Sequence, residues 1–123
     1  DIFCVPSIFE PCGLTQMIAM RYGAVPLVRR TGGLRDTVFD VQLDPARAAS
    51  YGKSCNGYNF DGEHEQDIEY ALKRALGDYF DREKWNQMNL PSVGMRQDWS
   101  WTAPSERYID LYWNARRKAN RQQ

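Results

Sequence analysis

Four apolar residues, Ile2-Phe3-Cys4-Val5, are stopped by Pro6 and followed at once by a turn and a helical pattern, and this order restricts the fold more than any other feature. A short apolar run without alternation reads as a strand of a parallel sheet buried on both faces. Pro11 pushes Glu10 out of the α region, and a proline beside a helix start loses little by lacking its N–H. From there Leu14, Met17, Ile18 and Tyr22 recur at helical spacing, with Gln16 and Arg21 on the other face. The spacing predicts a helix from about Gly13 to Tyr22 that stops at Gly23, then a second strand over residues 25–28. Strand, turn, helix and strand in this order define an α/β chain.

The turn carries the chemistry. N–H groups in the first turn of a helix have no partner within the helix, and the macrodipole puts partial positive charge there. Gly13 has no Cβ, so an anion or a hydroxyl can come close to the amides of Gly13, Leu14 and Thr15, with the Thr15 hydroxyl as a further donor. Ligands of open α/β sheets bind beyond the carboxyl ends of the strands, where Glu10 is placed. On the residues alone, Glu10 reads equally as a ligand-facing carboxylate and as a simple complement to the helix start. Cys12 reads as a contributor of backbone, with a redox-active thiol at the helix start as a second reading.

The next motif, Arg30-Thr31-Gly32-Gly33, follows the apolar run from Ala24 to Val28. Pro26 inside that run is tolerated near a strand start but not in a central ladder, which predicts a short strand. The paired glycines form either a second loop facing the cleft or a plain tight turn, and Arg29 and Arg30 either face an anion or are solvated.

Composition narrows the remaining classes. The chain has 123 residues, enough for one domain with a modest core, and its 16 basic and 16 acidic residues cancel. Without a basic run interleaved with aromatics, nucleic acid is not an expected partner. No segment is apolar enough for a membrane span and no targeting segment opens the chain. It starts directly in a strand pattern without methionine, so it is read as part of a longer protein. Cys4, Cys12 and Cys55 are odd in number with no C-x-x-C spacing, and His64 is the single histidine. A metal site is therefore not expected, a reducing compartment fits, Cys4 and Cys55 read as buried thiols, and His64 as a surface residue.

Downstream the pattern speaks mainly to architecture. Residues 42–54 lack periodicity and read as a surface connection. Residues 56–60 read as a strand with Tyr58 and Phe60 on one face, ended by Asp61-Gly62. Ile68, Leu72, Ala75, Leu76 and Tyr79 mark the buried face of a helix, with Glu65, Glu69, Lys73 and Arg74 opposite. Trp85 and Met88 begin another helix, broken near Pro91 and Gly94. A last helix from Pro104 to about Ala119 carries Tyr108, Leu111, Tyr112 and Ala115 as a stripe expected to be core, and its basic end, Arg116, Arg117, Lys118 and Arg121, reads as solvated.

Pro6 to Gln16, PSIFEPCGLTQ, together with Arg30 to Val38, RTGGLRDTV, resembles the starch synthase and bacterial-type glycogen synthase family, nearest to plant-type soluble starch synthases. Weaker support comes from Asn56 to Phe60 and from Asp98-Trp99-Ser100-Trp101. Many retaining transferases of the same GT-B fold, sucrose synthases among them, carry a second glutamate seven positions after the first. Met17 stands there in this chain. The resemblance implies the C-terminal part of a second Rossmann-like domain, a parallel sheet followed by C-terminal helices over about 64–120, with residues 1–123 as one partial nucleotide-sugar-binding domain.

The same resemblance implies transfer of glucose from ADP-glucose to the non-reducing end of an α-1,4-glucan with retention, without a metal or other cofactor. Glu10 would lie beside the transferred glucose as the catalytic carboxylate, and Cys12, Gly13, Leu14 and Thr15 would meet the sugar and diphosphate. It further implies an N-terminal domain elsewhere in the same protein, which carries a lysine-glycine-glycine donor loop and an acceptor groove and against which Trp99, Trp101 and Trp113 would lie. A plastid location follows for a plant protein and a cytoplasmic one for a bacterial protein. A transferase using UDP- or GDP-sugar and a noncatalytic glucan-binding module remain as alternatives. The 123-residue chain alone is expected to be inactive and prone to aggregate.

Overall fold

The computed structural model describes residues 1–120. Three parallel strands, β1 (Ile2–Val5), β2 (Val25–Arg29) and β3 (Tyr58–Phe60), lie in the order β1-β2-β3. Between them run α1 (Thr15–Arg21), α2 (Gly32–Thr37) and α3 (Pro45–Ser50); after β3 come α4 (Glu65–Phe80), α5 (Arg82–Met88), α6 (Leu90–Arg96) and α7 (Thr102–Asn120). Arg121, grouped above with the basic end of the last helix, lies outside the described residues.

Alternation along β2 sorts the core into two faces. Val25 and Leu27 join Tyr58 and Phe60 under Ala71 and Ala75 of α4, with Trp85 and Leu90 closing that side. Trp85 meets the Tyr79 ring edge-on at 5.2 Å. Val28 turns the other way and packs with Val5, Leu34 and Val38.

Pro26 does not make β2 an edge strand, because β2 is the central one. Val25 donates its N–H to Asp1 O on the β1 side and Arg30 donates to Phe60 O on the β3 side. By alternation the Pro26 nitrogen faces β3, but pairing there begins only at Leu27↔Tyr58. The missing N–H therefore removes no ladder bond.

Several burial expectations need correction. β1 is paired on one side only, so Phe3 and Cys4 are exposed instead of buried; Cys55 is half-buried. In α1 the buried residues are Gln16 and Met20, while Leu14, Ile18 and Tyr22 are exposed. Met20 turns inward because α6 packs there: a Cβ at Gly94 would already sit 3.1 Å from Met20 Cβ. Residues 42–54 are not a plain connection, since Pro45 in the first turn pre-sets φ and the alanines that follow sustain α3. Leu76 of α4 is exposed, and Arg74, assigned to the solvated face, is half-buried, with its guanidinium turned inward onto Asp40. The stripe on α7 is not core; every described residue of that helix is exposed.

Other expectations match the structure. His64 is exposed and occupies the cap position of α4, where its amide donates to the Asp67 carboxylate at 3.0 Å. The break near Pro91 falls at Asn89, whose φ of 51° ends α5 before Pro91 enters the first turn of α6.

Beneath α4 lies a polar network that periodicity does not reveal. Arg74 donates to both oxygens of fully buried Asp40 at 3.0 and 2.9 Å, and Asp40 also accepts from the amides of Asn59, Gln42 and Leu43. Asp44 accepts from Asn59 Nδ2 at 2.6 Å and from the Asp40 amide at 3.1 Å, and pairs with Arg47 and Arg30. Burial alone would raise the Asp44 pKa, but these donors outweigh it and hold it below the usual carboxylate range. Asp78 is depressed in the same way: burial is opposed by Lys84, Tyr58 Oη and Gln42 Nε2. Burial and the bond to Asp78 push the Tyr58 phenol far up.

Two outcomes follow. Replacing Arg74 with Met strands the Asp40 charge and should cost about 3–5 kcal/mol of stability, read by chemical denaturation of the full-length protein. Because Asp44 and Asp78 bind protons less readily folded than unfolded, their contribution should be complete above the unfolded carboxylate pKa of about 3.9 and vanish as pH falls through the lower folded values. A midpoint of thermal unfolding that stays level from pH 5 to pH 2 would contradict that.

Candidate functional site

All three loops that leave the carboxyl ends of the strands converge. The first, residues 6–14, carries Glu10 out of β1; the second, Arg30-Thr31, links β2 to α2; the third, residues 61–64, follows β3. Arg29, at the end of β2, ties two of them together. Its guanidinium donates to Ile8 O at 2.7 Å, to Gly62 O at 3.0 Å and to Glu63 Oε1 at 2.8 Å. Neither the solvated nor the anion-facing reading of Arg29 describes this: it is a clamp between the first and third loops.

The two sequence motifs lock into one another through backbone. Gly33 donates its N–H to Glu10 O at 3.1 Å. A Cβ at Gly32 would collide with the Glu10 carbonyl and one at Gly33 with the Cys12 carbonyl, so the paired glycines are present because the first loop lies directly against them. Gly32 also holds a φ of 43°, open to glycine at little cost. The expected loop at Gly32-Gly33 is instead the first turn of α2, with Thr31 at its cap position and half-buried.

Glu10 is half-buried, and its Oε2 accepts from Ser7 Oγ at 3.2 Å. Gly13 has a φ of 66° and is buried, with the Gln16 side-chain amide in the space a Cβ would need. The predicted start of the helix at Gly13 shifts to Thr15, with Leu14 at the cap position; no side chain caps it and no acid lies in its first turn. The early amides of α1 thus keep their unsatisfied character. Cys12, Leu14 and Thr15 are exposed, around the same corner as Glu10.

Arg30 departs from the anion-facing expectation. Its guanidinium is committed to Asp61, with Nε to Oδ1 at 2.6 Å and Nη2 to Oδ2, and to Asp44 at 3.3 Å. The hydrogen bond from Arg30, then its charge, holds the Asp61 carboxyl below the usual range against some burial. Among the described residues no group of three or more His, Cys, Asp or Glu could hold a metal ion, and no helix is long and apolar enough to cross a membrane.

A shallow groove of about 490 Å³ opens beside α1, between Leu14, Met17, Ile18 and Arg21 and the Asp98-Trp99-Ser100 turn. It brings the DWSW segment against the helix that follows the Glu10 loop. Residues that reasoning from the sequence passed over are Gln16, read as solvated, and Thr37, read only as part of a motif. Gln16 Nε2 donates to Gly13 O at 2.7 Å and to Thr37 Oγ1 at 2.8 Å. The available signal was the spacing: a glutamine three positions after a glycine in a tight turn can fold back onto its carbonyl.

Fold and site together define a parallel α/β unit in which three loops converge at the carboxyl end of the sheet, the end where open α/β sheets place their ligands. No protein-family model matches the chain. Over 95% of its length it is 53% identical to starch synthase 3, chloroplastic/amyloplastic, of Arabidopsis thaliana, and over 93% it is 43% identical to glycogen synthase of Clostridium novyi. It spans only 11% and 22% of those relatives. Its structure matches the catalytic domain of starch synthase IV from Arabidopsis thaliana, solved bound to ADP and acarbose, with a TM-score of 0.78 and 47% identity over 93% of this chain and 22% of that one. The chain is a homologue of the starch synthases and bacterial glycogen synthases and corresponds to a segment of them.

Gly33→Ala places a methyl group into the Cys12 carbonyl and should displace the first loop. In the full-length protein we expect at least about 2 kcal/mol of destabilisation and loss of the protection from hydrogen exchange at the Gly33 amide; an unshifted unfolding curve would show that the interlock is loose.

Proposed function

We propose that this chain is the C-terminal part of the sugar-nucleotide domain of a retaining glucosyltransferase, which moves glucose from ADP-glucose to the non-reducing end of an α-1,4-glucan. The observation that carries this reading is the corner itself: a half-buried carboxylate and the uncapped start of a helix, held together at the carboxyl ends of β1 and β2. The likeness to a catalytic domain bound to ADP and acarbose supports both ligand classes.

The chemistry fits the groups. The bond between the anomeric carbon and the β-phosphate oxygen breaks, its electron pair leaves with ADP, and the acceptor hydroxyl supplies the new oxygen and loses its proton. Negative charge grows on the departing phosphate, where the amides of Gly13, Leu14 and Thr15 are fixed donors that need no reorganisation. Positive charge grows on the sugar ring, where Glu10 acts as the stabilising carboxylate. Cys12 contributes its carbonyl to the packing against Gly33, and its thiol has no role. The Gly32-Gly33 turn serves the cleft by supporting the Glu10 loop, and Arg30 and Thr31 by shaping the turn beneath it.

The partners follow from the same reading. Residues 1–123 form part of one domain, and the remaining donor and acceptor contacts belong to the rest of that domain and to an N-terminal domain of the same protein. Trp101 together with the exposed aromatic residues of α7, Tyr108, Tyr112 and Trp113, suits a protein surface of that kind. The names of the plant relatives support a plastid location.

Glu10→Ala in the full-length enzyme should lower kcat by at least about 10²-fold while ADP affinity changes less than about threefold. Retained turnover would leave the noncatalytic glucan-binding reading in its place, and a preference for UDP- or GDP-glucose in a donor competition assay would move the assignment to a related transferase. The isolated 123-residue chain should show no glucan elongation and should self-associate in sedimentation, since Phe3, Ile18, Tyr22 and the α7 stripe are uncovered.

A further inference from the structure

The hydrogen bonds around Gly33 close into a ring that passes through both ends of the Glu10–Gly13 turn. Gly33 donates its N–H to Glu10 O at 3.1 Å, and Thr37 Oγ1 donates to Gly33 O at 2.6 Å. Thr37 Oγ1 in turn accepts from Gln16 Nε2 at 2.8 Å, and the other hydrogen of that amide goes to Gly13 O at 2.7 Å. A hydroxyl has one proton and a primary amide has two, so every donor is used and the direction of each bond is fixed.

Orientation follows from the peptide geometry. Among the described residues all peptide bonds are trans, so the Leu14 N–H points opposite to the Gly13 carbonyl. Drawing Gly13 O inward onto Gln16 turns the Leu14 amide outward, on the side of the exposed Leu14 and Thr15. Gln16 is fully buried, and its Oε1 has no partner among the described residues. The amide therefore carries one unmet acceptor into the interior in order to hold Gly13 O and Thr37 Oγ1, a cost to stability.

We propose that Gln16 and Thr37 are positioning residues, which set the angle between the Glu10 carboxylate and the Leu14 amide so that both meet one donor molecule. This rests on the glucosyltransferase reading above. Neither side chain touches substrate: Gln16 acts through the Gly13 carbonyl of the turn, and Thr37 through Gln16 and through Gly33, whose N–H holds the Glu10 carbonyl.

The test uses the full-length enzyme and five variants, with kcat, KM for ADP-glucose, affinity for ADP and thermal stability read on each. Thr37→Val is nearly isosteric and breaks the ring at one bond. It should lower kcat by about 10- to 100-fold, the scale of a small misplacement at a reacting centre, with ADP affinity within about twofold. Thr37→Ser should restore turnover. Gln16→Leu should match Thr37→Val, and the double variant should be no slower than the slower single one, because the bonds act in series. Wild-type kcat in Thr37→Val, failure of Thr37→Ser to rescue, or losses that multiply in the double variant would each overturn the proposal. Glu10→Ala serves as the fifth: if it turns over normally the functional reading itself falls, whereas an inactive Glu10→Ala beside a fully active Thr37→Val removes only the positioning role.

Discussion

A single backbone bond, from the Gly33 N–H to the Glu10 carbonyl, joins the two loops on which the candidate site depends. It exists because two consecutive residues lack a Cβ where the Glu10 and Cys12 carbonyls press in. The carboxylate, the uncapped helix start and the second loop thereby become one rigid corner instead of three independent segments. Arg29 extends that corner to the third loop by donating to the Ile8 and Gly62 carbonyls and to Glu63.

Beneath it, the buried polar layer of Asp40, Asp44, Asn59 and Arg74 does for the sheet what apolar packing does elsewhere. Asp40 reaches amides on either side of the crossover from β2 to β3, so it fixes where β3 begins relative to β2. Such a layer is costly to break from one side and specifies a register that hydrophobic contacts would leave looser.

The alternation and turn chemistry of the sequence carried the three strands, the helices after β1 and β3, the exposed His64 and the break at Pro91. The resemblance of two motifs also carried the kinship with the starch and glycogen synthases. What they missed shares a cause: helical periodicity sorts residues by polarity, and Gln16 and Arg74 are polar residues drawn inward by specific partners, Gly13 O with Thr37 and Asp40. Leu14, Ile18 and Leu76 are the converse, apolar side chains facing outward. The polar layer stayed hidden because its members are spread from Asp40 to Arg74 and meet only once β3 has paired with β2.

The last helix stands apart from this logic. Its 19 residues form a rod of about 28 Å at 1.5 Å per residue, and no described residue of it is buried. Helix that packs on nothing draws its persistence from local propensity and short-range pairs alone, which is marginal at this length in water. Its unfolding is therefore thermodynamically uncoupled from that of the sheet, and whatever surface eventually covers the aromatic column sets the cooperativity of this end of the chain.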